Sequence, residues 1–178
     1  MTNNFLQSAI RQIESYKSVG ERAIDQLTDD QISWQFNEES SSISIIVKHV
    51  VGNQFSRWTN FLTEDGEKEW RERDAEFVNS YTSKAEMMEA WNKGWDCFLS
   101  VLKSLDENDL DKTIYIRKEP HSVIDAITRQ LCHYSYHIGQ IVYVAKMLQN
   151  EDWKSLSIPK NMSDEFNSKK FSESETNE

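Results

Sequence analysis

Residues 123–148 read VIDAITRQLCHYSYHIGQIVYVAKML, and this stretch decides the fold. Apolar side chains recur three and four residues apart along it, which is the spacing of an α-helix with one face in a core. Pro120 and Ser122 stand directly before it, and a serine hydroxyl is a preferred cap for a helix N-terminus. The stretch therefore predicts a long, core-facing helix.

The same spacing predicts three more helices, over about residues 3–26, 40–62 and 84–105. Residues 63–73 are highly charged and are expected to form a solvated connection, and the alternation of Ile114 and Ile116 permits a short extended piece. Four long amphipathic helices with unequal connections predict an all-α fold of the four-helix-bundle type. We expect one domain over residues 1–167 and a flexible acidic tail over residues 168–178.

The composition of the chain indicates which partners are not expected and which cellular compartment is. The chain has 178 residues, a formal net charge of −10 and a pI of about 4.9, so we expect no binding to nucleic acid or to an anionic membrane surface. The N-terminal stretch does not resemble a signal peptide. The two cysteines, Cys97 and Cys132, form no CxxC motif and are expected to be buried and inert thiols. These features predict a cytoplasmic protein.

Two of the four histidines, His133 and His137, stand one helical turn apart. Their imidazoles can therefore reach one metal ion from the same face of a helix. A pair of hydrogen-bonded histidines is the alternative, since the HxxxH spacing also arises by chance. Ile127, Leu131 and Ile138 on the adjacent flank place the helix in a core, where charged or unpaired imidazoles are costly. A shared cation would remove that cost, because a metal binds neutral imidazole.

His49 is the third candidate ligand. It lies in the apolar stretch IIVKHVVGN of the second predicted helix, where the alternative is a hydrogen-bonded core residue. Gly52 and Asn53 follow one turn later and provide space and polarity. Three histidines from two helices match the ligand set of an open catalytic site, which keeps a position for water or substrate.

Other residues are weaker candidates for contacts with substrate. Asn53, Arg129 and Gln140 could orient a substrate or a ligand, although a structural salt bridge or hydrogen bond is the alternative for each. His121 stands in a loop before the last helix and is either a bystander near the site or a local contact. Glu119 could serve as a base at the mouth of the site.

The stretches HVVGNQ and RQLCHYSYHIGQIVYVAK resemble the DinB/YfiT-like superfamily of small bacterial metalloproteins. The similarity runs from the first helix to about Asn167, and WKSLSIPKNMSDEFN resembles the closing segment of an uncharacterised branch. The resemblance implies a four-helix bundle in up-down-down-up order, frequent homodimers, and a divalent ion held by three histidines. By motif, those ligands are His49, His133 and His137, with zinc or nickel as the typical ion; three-histidine sites also accept iron or manganese.

Several members of this superfamily act with low-molecular-weight thiols. The resemblance therefore implies a metal-dependent transferase that joins a small thiol of the bacillithiol type to an electrophile, in detoxification or a stress response. A metal-dependent hydrolase, a non-catalytic metal-binding stress protein and a purely structural helical dimer are the alternatives.

Overall fold

The computed structural model describes residues 4–175, with side chains from residue 5 to residue 172. Its four long helices are α1 (Asn4–Asp25), α3 (Ile43–Trp58), α4 (Lys84–Ser104) and α5 (Val123–Gln149). Two shorter helices are α2 (Asp29–Ile32) and α6 (Ser163–Glu175), and a hairpin pairs β1 (Thr113–Ile116) with β2 (Glu119–Ser122). The predicted all-α class is thus confirmed in its broad form, and the hairpin is the addition. None of the helices within the described range is long and apolar enough to span a membrane.

Serine hydroxyls begin three of the long helices. Ser42, Ser83 and Ser122 each accept a hydrogen bond from the backbone N–H three residues further on. The first N–H groups of a helix have no partner within the helix, so such a cap fixes where the helix starts. The serine positions explain why the observed starts agree closely with those expected from the sequence.

Aromatic side chains fill the centre of the core. The Phe98 ring lies 4.4 Å from that of Trp58 and 5.2 Å from that of Tyr134, and Trp95 lies 5.5 Å from Tyr134. All four side chains are almost completely buried. Helix α1 packs on α5, α3 packs on α4, and α3 also contacts α5. This packing brings the inner faces of α3 and α5 together.

The hairpin turns through two residues in the left-handed region. Arg117 has a φ of 56° and Lys118 a φ of 63°, and the turn joins Ile116 to its partner Glu119. This is the conformation of a type I′ turn, which favours Gly and Asn. Both backbone N–H groups donate to the carboxylate of Asp65, at 2.8 and 2.7 Å. Asp65 therefore holds the turn against the segment that follows α3.

Residues 63–73 form the expected connection, but it is solvated only in part. Lys68 is only 8% exposed, and the side chain of Arg71 is 3% exposed. Each is paired with a carboxylate, Lys68 with Glu64 at 2.8 Å and Arg71 with Glu76 at 2.8 Å. Charged side chains can be buried when they are paired in this way, and a composition-based reading of the stretch does not detect the pairing.

The C-terminal part continues beyond Pro159 as the exposed helix α6. The expected acidic tail, residues 168–178, begins within this helix. Residues 176–178 lie outside the described residues.

Candidate metal centre

Three of the four histidines meet between α3 and α5. His49 comes from α3, and His133 and His137 come from successive turns of α5. The Nε2 atom of His133 lies 3.3 Å from Nε2 of His49 and 3.0 Å from Nε2 of His137. One candidate ligand nitrogen from each residue lies within 4.8 Å of the other two. The structure therefore brings together the trio that the sequence singled out, and this cluster could hold a metal ion.

The two separations from His133 are close to those expected for a shared ion. Zinc–imidazole bonds of about 2.0–2.1 Å at tetrahedral angles place two ligand nitrogens about 3.3 Å apart. The hydrogen-bond partners of the outer ring nitrogens also favour a shared ion. His49 Nδ1 lies 2.9 Å from Oε2 of Glu76, and His137 Nδ1 lies 2.8 Å from Oε1 of Gln140. Both oxygens are acceptors, so each Nδ1 carries the proton and each Nε2 turns a lone pair inward.

A single proton among the three inner nitrogens cannot give each of them a hydrogen-bond partner. A proton on His133 Nε2 could bond to one of the two inward lone pairs and would leave the other unpaired. His49 is 7% exposed, and burial makes an unpaired nitrogen costly. A cation at the common point accepts all three lone pairs, so the donor set fits a divalent metal better than it fits an internal hydrogen-bond network.

Burial keeps the imidazoles of His133 and His137 neutral. It lowers the pKa of His133 to about 3, with further contributions from the charges of His137 and His49 and then of Arg129 and Arg57. Burial also lowers the pKa of His137, although its hydrogen bond with Gln140 acts in the opposite direction. Neutral imidazole is the form that binds a metal, so these two residues are in the binding form at neutral pH.

Glu76 orients His49 from outside the trio. It lies in a short 3₁₀ helix, Asp74–Phe77, and is 6% exposed. Arg71 donates from Nε to Oε1 at 2.8 Å and from Nη2 to Oε2 at 3.0 Å. Burial alone would raise the pKa of Glu76, but the hydrogen bonds from His49 and Arg71 and the charge of Arg71 lower it overall. The carboxylate is therefore ionised, which fixes the His49 tautomer and increases the basicity of its inner nitrogen.

Gly52 makes the approach of Glu76 possible. A Cβ atom at this position would lie 2.7 Å from Cδ of Glu76 and 3.2 Å from its Cγ. Gly52 is one turn after His49 on α3. The Glu76 carboxylate therefore packs against the backbone of Gly52, beside the His49 imidazole. The space that Gly52 was expected to provide is thus taken by the partner of a candidate ligand.

His137 is oriented by its own helix. Gln140 presents Oε1 to His137 Nδ1, and its Nε2 donates to the hydroxyl of Tyr136 at 3.2 Å. Gln140 is therefore a partner of a candidate ligand.

A cavity of about 220 Å³ opens beside His49 and His133. Asn53 and Arg129, two of the candidate substrate contacts, both line it. Asn53 is 6% exposed, and its Oδ1 accepts from Gln130 at 3.0 Å and from the Tyr134 hydroxyl at 3.1 Å. The Asn53 side chain is thus held by the core, whereas Arg129 is exposed to solvent.

His121 and Glu119 are not part of the trio. His121 lies in β2 opposite Ile114, and its Nδ1 contacts the carboxylate of Asp125. This is the local contact that was the alternative for His121. Glu119 lies at the turn end of the same strand and does not line the cavity beside the histidines.

The cysteines form no disulfide and lie in different environments. Cys97 is half-buried, and burial raises the pKa of its thiol. Cys132 is exposed, contrary to the expectation that both thiols are buried, because it faces away from the inner side of α5. Neither residue belongs to the group of candidate metal ligands.

Sequence reasoning found Arg129 but not Glu76, Arg71 or the other arginines near the histidines. Arg71, Arg73 and Arg117 lie in a connecting segment and a turn, where no periodicity indicates which side chains point inward. Gly52 was the usable signal, because a glycine inside an apolar helix indicates the close approach of another group.

Two comparisons with known proteins bear on the assignment. No curated protein matches the chain. A family model matches residues 1–162, which is most of the chain, and its description is a protein of unknown function, DUF1572. The chain with this three-histidine cluster therefore belongs to the DUF1572 family.

Proposed function

We propose that this protein is a DinB-like metalloenzyme, which holds a divalent ion with His49, His133 and His137 and uses it to activate a small thiol for transfer to an electrophile. The observation that carries the proposal is the convergence of three imidazole nitrogens from two helices, with outer partners that turn lone pairs inward. Three protein ligands leave room for a substrate, as in catalytic rather than structural sites.

The helix contacts support the four-helix bundle that this proposal includes. Helix α1 contacts α5 and α4, and α3 contacts α4 and α5, so the four long helices enclose one core. Metal sites of such bundles lie between side chains of facing helices, which is where the trio lies.

A divalent ion at this site would supply a Lewis acid that makes a thiol, or a water molecule, a nucleophile at neutral pH. The protein's own residues set the conditions for that chemistry. Glu76 fixes the tautomer of His49, and Gln140 fixes that of His137. Asn53 presents a polar group at the wall of the cavity, in an orientation held by Gln130. Because these groups are positioned before substrate binds, little reorganisation is needed at the reaction step.

Metal analysis of protein purified without a histidine tag tests the site. We expect about one zinc or nickel ion per chain in the unaltered protein and loss of that ion in His49→Ala and His137→Ala. His121→Ala is the matched control, because it removes a histidine outside the trio and should keep the ion. Circular dichroism establishes that each variant is folded. If metal is absent from well-folded, unaltered protein after incubation with zinc and nickel, the histidines are structural.

Thiol consumption tests the reaction. The metal-loaded protein is assayed with monochlorobimane and bacillithiol, cysteine or other small thiols, and His137→Ala serves as the control for background reaction. We expect metal-dependent turnover with at least one thiol. If stoichiometric metal is present without turnover of any thiol, the site is a binding site or a hydrolytic centre, and ester and amide substrates separate those two functions.

A further inference from the structure

The cavity beside the histidines is lined by five arginines and by no acidic residue. These arginines are Arg57, Arg71, Arg73, Arg117 and Arg129. They come from α3, from the segment after it, from the hairpin turn and from α5. The concentration of positive charge contrasts with a formal net charge of −10 for the whole chain. It is therefore a local feature of this cavity.

Two carboxylates outside the cavity wall hold three of the arginines. Oε2 of Glu67 accepts from Arg57 Nη2 at 3.0 Å and from Arg117 Nε at 3.0 Å, and it lies 3.7 Å from Arg71 Nη1. Glu76 takes the other bonds of Arg71. Two carboxylates hold three guanidinium groups, so they orient the arginines but do not fully balance their charge.

Arg73 and Arg129 have no carboxylate within ion-pair distance among the residues with described side chains. Arg73 lies over the ring of Phe77, 5.0 Å from its centroid, and that ring stacks on His49 at 5.1 Å. Arg129 is one turn before His133 on α5 and contributes to the lowered pKa of that residue. Two guanidinium groups without an ion-pair partner among the described side chains therefore line the cavity, together with the candidate ligands His49 and His133.

Arg117 reaches the cavity from an unfavourable backbone conformation. A left-handed φ costs a residue with a side chain about 1–2 kcal/mol, and glycine would avoid that cost. The carboxylate of Asp65 offsets the cost through its bonds to the turn N–H groups, so Asp65 is engaged by the backbone. Strained positions that the surrounding structure stabilises are a feature of functional sites.

We infer that this cavity binds a doubly charged oxyanion group of the substrate, either a phosphate or a pair of carboxylates, and orients the reacting atom toward the three histidines. The link to the reacting atom rests on the proposed function, whereas the anion site itself does not. Guanidinium groups bind phosphate and carboxylate through paired, charge-assisted hydrogen bonds. A divalent ion beside so many cations increases the need for a dianion, because each cation destabilises the others until an anion enters.

Calorimetric titration at constant ionic strength tests the inference on the metal-free, full-length protein. The probes are inorganic phosphate, succinate and, as a singly charged comparison, acetate. We expect saturable binding of phosphate or succinate and weaker binding of acetate. Arg73→Gln and Arg129→Gln should each weaken dianion binding at least about tenfold, since each removes a charge-assisted contact. Arg11→Gln, an exposed arginine of α1, removes the same charge elsewhere and should not change binding.

The two probes identify the source of the charge. Binding of phosphate alone indicates a phosphorylated substrate, binding of succinate alone indicates a dicarboxylate, and binding of both supports recognition by charge. If neither dianion binds, or if both cavity variants bind as the Arg11→Gln protein does, the inference is wrong. Metal content is measured separately, on the unaltered protein after incubation with zinc and nickel. If that protein holds metal but the metal-free protein binds no dianion, this inference is wrong and the proposed function stands. If the metal-free protein binds a dianion but the unaltered protein takes up no metal, the proposed function is wrong and this inference stands.

Discussion

Replacing Gly52 by alanine should weaken metal binding without unfolding the protein. The new methyl group would meet Cδ of Glu76 at 2.7 Å, whereas carbon atoms in contact are about 3.5–4.0 Å apart. Glu76 is a flexible side chain, so the carboxylate can retreat by about 1 Å and relieve the overlap. Its hydrogen bond to His49 Nδ1 is 2.9 Å long, and a displacement of this size breaks it.

The loss of the hydrogen bond between Glu76 and His49 determines how far the metal affinity should fall. Removing the outer partner of a metal-binding histidine lowers metal affinity about 10- to 100-fold. For stability the two effects of Gly52→Ala oppose each other. Alanine in place of a helical glycine raises the free energy of unfolding by about 0.5–1 kcal/mol. The loss of charge-assisted hydrogen bonds at Glu76 lowers it by about 1.5–3 kcal/mol. We therefore expect a net loss of about 1–2 kcal/mol in the metal-free protein.

Gly139→Ala is the matched control. Gly139 is an exposed glycine of α5, two residues from His137, and a Cβ there would meet no atom within 4 Å. This variant should gain about 0.5–1 kcal/mol from helix propensity and keep its metal affinity. Zinc affinity is measured by competition with a chromophoric chelator, and stability by urea unfolding in the presence of EDTA.

Equal zinc affinities in the two alanine variants would refute the role assigned to Glu76. The reasoning would also be wrong if Gly52→Ala lost affinity while Glu76→Gln did not, since both changes act through the same hydrogen bond. If both lose affinity and Gly139→Ala does not, Gly52 and Glu76 are positioning residues for His49.

Three further changes test the surrounding structure. Glu67→Gln should lower the free energy of unfolding by about 1–3 kcal/mol at pH 7, because Arg57 and two other arginines lose their shared partner. Burial alone would raise the pKa of Glu67, but those arginines lower it below its ordinary value of 4.5. The difference in the free energy of unfolding between Glu67→Gln and the unaltered protein should therefore persist above about pH 4.5 and vanish as the pH falls through the depressed pKa. Urea unfolding at a series of pH values measures it. Ser122→Ala should remove the cap of α5 and destabilise the protein by about 1 kcal/mol, measured by thermal unfolding. Lys118→Gly should stabilise it by about 1 kcal/mol in the same measurement, because glycine adopts the left-handed turn without strain and keeps the N–H that donates to Asp65.

The helices and the histidine pair follow from the sequence because both depend on local geometry. A serine before an amphipathic run fixes the helix start, and a spacing of four fixes that His133 and His137 share a face. The position of His49 relative to that pair depends on how α3 packs on α5, which periodicity does not determine. The count of three histidines on two helices suggested the trio, and the resemblance to a known superfamily supported it.

The environment of the site could not be predicted because charge in a sequence does not indicate burial. Residues 63–73 have the composition of a solvated segment, yet Arg71 is buried because Glu76 and Glu67 accompany it. Pairing of this kind depends on contacts between segments that lie apart in the chain, such as Arg57 with Glu67. A single sequence carries no signal of such contacts, and therefore the cationic cavity emerged only from the structure.

Arg71 joins the two halves of the site. On one side it holds Glu76, which orients His49, and on the other it lies 3.7 Å from Glu67, which gathers Arg57 and Arg117. An anion in the cavity would draw on the same guanidinium group that fixes the partner of a candidate ligand. Anion binding in the cavity and metal binding by the histidines would then be coupled through one buried side chain, and by linkage an effect of the anion on metal affinity would require an equal effect of the metal on anion affinity. This coupling gives a physical reason for an arginine, with its five donors, at this position instead of a lysine, which offers a single ammonium group.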